Sequence, residues 1–317
     1  MKKNRKALIA LLSFLLSAAL AVCFAGCAGS PGSDDGQQSG AATADEAGAH
    51  DELNALGIDP GSLGIYPDVK HDEKNKAGFQ LNLPNKGDTV AVIHTSLGDI
   101  TLRFFPEQAP KAVTNFINLA ESGSYNNTSF HRVTAGYGIQ GGHCGADESN
   151  PNGVSSFGGM FEDEFCDSLF NIRGAVSMAT NSKDANGSQF FINQTTAQAF
   201  AENGGWSAYD SMWSNVKAQL DSYKGSNLIP AFVDENGDKF INTAAVPDSV
   251  KQLYEQYGGN PNLDGAFNAA DRGQTVFAQV IDGMDVVDKI SAVKTDKNYA
   301  PSERVEIKSI EITTYQP

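Results

Sequence analysis

The chain has 317 residues, 40% of them hydrophobic and only 19% charged, with 32 glycines. That profile supplies a real core and excludes both a coiled coil and a fully disordered chain. Twenty-three Lys and Arg against 38 Asp and Glu give a net charge of −15, which excludes a nucleic acid bound through its phosphates. Four of the cations, Lys2, Lys3, Arg5 and Lys6, precede every acid in the chain, so loss of the N-terminus leaves a surface still more acidic.

Residues 1–6 form a basic stretch and Ala7 to Val22 an apolar run rich in Leu and Ala. Together they read as a secretory signal peptide, residues 1–26, rather than a permanent anchor. Phe24-Ala25-Gly26-Cys27 resembles a bacterial lipobox, with Phe where Leu is usual, and predicts that Cys27 is diacylated. The mature protein is therefore expected on the extracytoplasmic face of the cell membrane, held by its lipid. From Ala28 to Asp51 there is no Leu, Ile, Val or aromatic residue, so residues 27–77 are expected to be a lipidated N-terminus and a flexible tether. Cys144 and Cys166 remain in the body of the chain, and a disulfide and two buried thiols both stay open.

Residues 78–317 read as one domain. Thr89 to Thr95 and Ile100 to Phe105 are β-rich runs joined by the turn Ser96-Leu97-Gly98-Asp99. Pro110 to Ser122 reads as a helix, with Pro in its first turn, Val113, Phe116, Ile117 and Ala120 on one face, and Gly123 as its stop. Short strands are expected at Ser129–Val133, Gly138–Gln140, Ala175–Ala179, Gln189–Asn193 and Val276–Val280. A second helix over 283–293 takes Asp282 as N-cap and turns Val286, Val287, Ile290 and Val293 inward. The last strand, Val305 to Ile312, slips in its alternation at Ser309, a bulge signature. Many short strands with two isolated helices predict a mainly β domain: a closed antiparallel barrel capped by helices.

An insertion over about 194–273 interrupts this pattern. Trp206, Tyr209, Trp213, Val216, Leu220 and Tyr223 recur at helical spacing, and their stripe is read as core. Phe232 to Ile241, with Asn236-Gly237 at its middle, reads as a hairpin. Pro247 to Tyr257 reads as a short helix ended by Gly258-Gly259.

Some motifs mislead. Gly136-x-Gly138-x-x-Gly141 fits a dinucleotide fingerprint literally, but no apolar helix follows it. Asp234, Asn236 and Asp238 imitate a calcium loop, yet Lys239 replaces its required Gly. The five His lack metal-ligand spacing, and no G-x-S-x-G elbow is present.

Phe130-His131-Arg132-Val133, Gly138-Ile139-Gln140-Gly141-Gly142, Phe161-Glu162-Asp163-Glu164 and Asn186-Gly187-Ser188-Gln189-Phe190-Phe191-Ile192 occur in this order. Together with Val276-Phe277-Ala278-Gln279-Val280 they resemble the cyclophilins, the family of peptidyl-prolyl cis–trans isomerases. The resemblance implies an eight-stranded antiparallel barrel capped by two helices, with a proline site on its outer face. It implies Arg132 and Gln140 as the catalytic pair. Tyr137, Ala179, Thr180, Gln189, Phe191, Leu263 and Gln274 would line the substrate groove. Several positions depart from the family: Tyr137 for Phe, Gly138 for Met, Thr180 for Asn, Asn262 for Trp, and Gln274 for His. The implied reaction needs no metal and no cofactor. The implied substrates are Pro-containing segments of exported polypeptides, acted on by a monomer. The alternative is a catalytically weak binding module that grips such segments.

Overall fold

The computed structural model describes residues 69–145, 151–224 and 226–317. The cysteine predicted to carry the lipid, Cys27, lies outside these residues, as do the expected signal peptide and most of the tether.

Strand β1 (Val69–Lys70) is followed by β2 (Thr89–Thr95) and β3 (Gly98–Phe104). These last two form the expected hairpin, paired from Val90↔Arg103 to Thr95↔Gly98. Helix α1 (Pro110–Glu121) leads into β4 (Thr128–Ser129), β5 (Arg132–Thr134) and β6 (Gly138–Gly141). Then come β7 (Phe165–Cys166), β8 (Ala175–Met178) and β9 (Phe190–Asn193), helices α2 to α5, β10 (Val276–Asp282), α6 (Met284–Ser291) and β11 (Glu306–Thr314). The four middle helices span Ala197–Glu202, Gly205–Ser222, Ile229–Asn236 and Asp248–Tyr257.

Nine strands share one antiparallel sheet in the order β4-β11-β2-β3-β10-β8-β9-β6-β5. The family resemblance implies eight strands in a closed ring. Here the expected strand 129–133 is divided at Phe130-His131, and its two pieces become the two ends of the sheet. The register of β11 on β2 shifts between Ile307 and Ser309, at the predicted bulge.

The inner face is apolar because alternate residues of each strand converge on α1. Phe116 of α1 lies 5.2–5.7 Å, centroid to centroid, from Phe104, Tyr125, Phe190 and Phe277, and all five are buried. The N-terminus of α1 has no side-chain cap of its own. Glu164 supplies one from across the chain: its two carboxylate oxygens accept from Lys111 N at 3.0 Å and Ala112 N at 2.9 Å. The acidic motif at 161–164 thus caps α1, where the helix dipole favours an anion.

Several expectations are corrected. The N-cap of α6 is Gly283, not Asp282. Gly283 has φ +87°, and a Cβ on it would sit 2.3 Å from the Asp99 carbonyl oxygen. The expected hairpin at 232–241 is helix α4 followed by a 3-10 turn at Gly237–Lys239. Pro230 fits its first turn, and Ile229, Phe232 and Val233 bury one helical face together with Trp213 and Phe240. Gly237 has φ −55°, so the Asn-Gly pair never enters a hairpin turn. Residues before 78, read with the tether, pack on the domain: β1 pairs in parallel with β7, and Asp72 Oδ2 accepts from Gln108 Nε2 and Ser168 Oγ, both at 2.8 Å. Cys144 and Cys166 are free, buried thiols in two different apolar clusters.

The stripe of α3 is core, as expected. Trp213, Val216 and Leu220 pack with α4. Trp206 and Tyr209 join a second cluster with Phe200 and Tyr254, and this one also holds Phe170 and Ile172 from the loop before β8. The insertion is thereby stitched to the sheet through its own apolar faces.

Candidate functional site

Register builds the site. Arg132 of β5 lies opposite Gln140 of β6, Gln140 opposite Phe191 of β9, and Phe191 opposite Ser177 of β8. Directly opposed residues point to the same face of a sheet. Their chain neighbours Val133, Ile139, Phe190, Ile192, Val176 and Met178 all lie in the main core, so this row faces outward. Strands run ~4.8 Å apart, which sets Arg132 and Phe191 ~10 Å apart at the backbone. Two long side chains can close that distance on one proline residue.

An apolar patch flanks the row. Ala179, Phe191 and Leu263, each under 10% exposed, cluster with the partly buried Tyr137, separately from the core. Four of the predicted groove residues therefore touch one another, although they come from four distant parts of the chain. Gln189 is fixed on both sides: its Oε1 accepts from Gln140 Nε2 at 2.7 Å, and its Nε2 donates to Pro151 O. Gln274 clasps the Thr180 backbone, accepting from Thr180 N at 3.0 Å and donating to Thr180 O at 3.1 Å. Its own amide donates to Leu263 O at 2.9 Å. Gln274 thus joins two of the predicted groove residues rather than standing apart from them.

Other residues could not be read from the sequence. The guanidinium of Arg132 lies 5.6 Å from the ring centroid of Tyr299, a cation–π arrangement that orients it. Tyr299 has φ +66°, held by the turn at 296–300, and its carbonyl accepts from Val133 N at 2.8 Å.

Beneath the insertion the same outer face is sealed and polar. Asn171 Oδ1 accepts from Ser177 Oγ at 2.7 Å and from Asn193 Nδ2 at 3.1 Å. Asn260 Nδ2 donates to Asn193 Oδ1 at 2.8 Å and to the Tyr137 carbonyl at 3.2 Å. Asn171 also donates to the Leu263 carbonyl and to Asp264 Oδ1, and Asp264 accepts from the Tyr254 hydroxyl. This network fixes Tyr137 and Leu263, two predicted groove residues that lie outside the strands. Burial pushes the Asp264 carboxyl up to about 7 against these donors. It pushes the Tyr137 phenol up to about 12, opposed by a hydrogen bond to Asn262.

A family model described as cyclophilin type peptidyl-prolyl cis–trans isomerase matches residues 90–217 and 230–312. The chain belongs to this family. The interruption of the match falls inside the insertion. A Staphylococcus saprophyticus protein named as a peptidyl-prolyl cis–trans isomerase is 33% identical over 239 residues, which are 74% of this chain and 96% of the relative. A Streptococcus pyogenes protein, named as a bifunctional phosphatase and peptidyl-prolyl cis–trans isomerase, is 35% identical over 74% of this chain. The match spans 40% of that relative's length. A solved cyclophilin type isomerase from Cryptosporidium parvum is 24% identical, covers 72% of this chain and 99% of its own, and has a TM-score of 0.46. The enzyme class of this cyclophilin is peptidyl-prolyl cis–trans isomerase.

Two departures from the cyclophilin pattern gain a physical account. At residue 138 a Cβ would stand 2.9 Å from the Ile192 carbonyl oxygen, so glycine lets β6 approach β9 closely. Asn262 reaches the Tyr137 phenol and lies 3.5 Å from the Tyr209 hydroxyl of α3, a polar link between insertion and groove.

Proposed function

We propose that the protein isomerises X-Pro bonds in exported polypeptides, with Arg132 as the catalytic donor. The observation that carries this reading is the outward row Arg132–Gln140–Phe191 beside the Tyr137–Ala179–Phe191–Leu263 patch.

Rotation about an X-Pro bond breaks amide conjugation, at a barrier of ~18–20 kcal/mol. As the bond twists, the imide nitrogen pyramidalises and its lone pair becomes able to accept a hydrogen bond. A donor aimed at that nitrogen stabilises the twisted state more than either planar one. The guanidinium of Arg132 is permanently charged and carries its donors in a fixed fork. The ring of Tyr299 supports one side of it. Gln140, locked by Gln189, holds the substrate carbonyl, while Phe191, Leu263, Ala179 and Tyr137 take the proline ring. Thr180, held by Gln274, borders the groove. The curled sheet acts as a closed barrel, and no metal or cofactor enters the reaction.

Gly138 favours a second reading, a binding module with weak turnover, because it leaves the groove without one apolar wall. One measurement decides between them: isomerisation of a short X-Pro peptide by the mature protein. Saturable catalysis that disappears in Arg132→Ala supports the enzyme reading, and saturable binding without turnover supports the module.

Cys27 carries the lipid in this reading, and holds the domain at the extracytoplasmic face of the membrane as a monomer. Among the described residues no helix is long and apolar enough to cross a membrane. Mass spectrometry of membrane-extracted protein tests the anchor: an acylated N-terminal Cys27 supports it, and an unacylated N-terminus elsewhere overturns it.

A further inference from the structure

The pairing of β5 with β6 brings together two histidines that lie twelve positions apart in sequence. His131 immediately precedes Arg132, and His143 follows the end of β6. Their ring centroids are 5.6 Å apart, with the planes inclined at 45°. His131 Nδ1 and His143 Nε2 are both buried and have no hydrogen-bond partner among the described residues. An unmet buried polar atom costs ~1–3 kcal/mol. Two such atoms on adjacent rings point to a shared partner.

The chemistry of the pair narrows that partner. The ring of His131 also bonds the Ser129 backbone and the Gln189 side chain. Nδ1 itself has no partner among the described residues, and a neutral imidazole whose other nitrogen carries the proton offers that atom as a lone-pair donor to a metal. We propose that His131 Nδ1 and His143 Nε2 together bind one divalent transition-metal ion of the zinc class, beside Arg132. Imidazole nitrogens suit such ions, and two nitrogens held ~2.0–2.1 Å from one cation are compatible with ring centroids 5.6 Å apart. Among the described residues no third His, Cys, Asp or Glu joins the pair, so water completes the coordination in this proposal. Cys144 is not a ligand, because its thiol lies in the core and is 3.5 Å from the Gly142 carbonyl. His94 differs from the pair, since its two nitrogens already face Asp99 and Glu311.

The site is separate from the isomerase reading and is tested without turnover. Mature protein stripped with chelator is dialysed against Zn²⁺ at neutral pH. Wild type binds one Zn²⁺ more than His143→Ala, and at the vacated site affinity falls by at least ~10–100-fold, the scale known for loss of a mere outer-shell partner. His94→Ala keeps the wild-type stoichiometry. In thermal melts Zn²⁺ raises the Tm of wild type more than that of His143→Ala, because it binds the folded state. Melts without metal verify that His143→Ala folds, and His143→Gln replaces it if it does not. Equal Zn²⁺ stoichiometry in wild type and a folded His143 variant overturns the proposal, as does absence of binding.

Discussion

Strands β6, β8 and β9 show two faces with opposite chemistries, and they place opposite demands on the residues there. Inward, Ile139, Val176, Met178, Phe190 and Ile192 join a dry core around Phe116. Outward, Gln140, Ser177, Phe191 and Asn193 meet either solvent and the apolar patch or a sealed network of asparagines. The inner face is held by contact area, which is non-directional and tolerates exchange among residues of similar volume. The outer face is held by directed bonds, each of which needs its named partner. Damage inside is therefore expected to cost stability with little effect on chemistry, and damage outside the reverse.

The largest expected effect tests the inner face. Phe116→Ala removes a fully buried ring that touches four other aromatic rings, and should cost about 3–5 kcal/mol in urea unfolding. The kcat/KM of the molecules that remain folded should stay within a small factor of wild type. A tenfold change in that parameter would break the separation of the faces. Arg132→Ala is the converse: unfolding free energy unchanged, turnover reduced by roughly 10²- to 10³-fold, the scale for one lost transition-state donor. Wild-type turnover in the folded variant would remove Arg132 from the mechanism.

Next comes the sealed network. Burial raises the Asp264 carboxyl from 3.8 to about 7. A group whose folded pKa lies above its unfolded value contributes stability that is fully present below the unfolded pKa and is lost as pH rises through the folded one. Wild-type stability should therefore decline between about pH 4 and pH 7, by up to about 1.4 kcal/mol per pH unit. Asp264→Asn should flatten that decline, measured by melts across the window. An unaltered slope would mean that other groups carry it. The smallest effect belongs to Gly138→Met. The added Cβ meets the Ile192 carbonyl, so β6 and β9 must part, at a cost of about 1–3 kcal/mol. No gain in turnover is expected, although methionine is the family residue here. A clear gain would mean that the strands yield easily and that the missing wall limits catalysis.

The regular parts of the fold were legible because their signals are local. The β2–β3 hairpin, α1, the bulge near Ser309 and the stripe of α3 each follow from spacing within about a dozen residues. The hairpin expected at 232–241 failed for the opposite reason. Asn236-Gly237 is a turn signal taken alone, but burial of Ile229, Phe232 and Val233 against Trp213 and Phe240 outweighs a dipeptide preference. The candidate residues Arg132, Gln140, Gln189, Phe191, Tyr137 and Leu263 were all named through the family resemblance. No local pattern shows that Tyr137, Ala179, Phe191 and Leu263 cluster, which the tertiary structure alone shows.

The sequence by itself determined the class of fold, the family, and the residues that can take part in the chemistry. Those properties depend on residue type and short-range periodicity, which the chain carries along its length. The tertiary structure alone decided which outward residues share a row, how Asn260 of the insertion joins Asn193 and through it Asn171 in a buried network, and why Tyr299 lies against Arg132. It also decided that His131 and His143 meet. These are contacts between segments far apart in sequence, fixed by strand register and by the need to partner buried polar atoms.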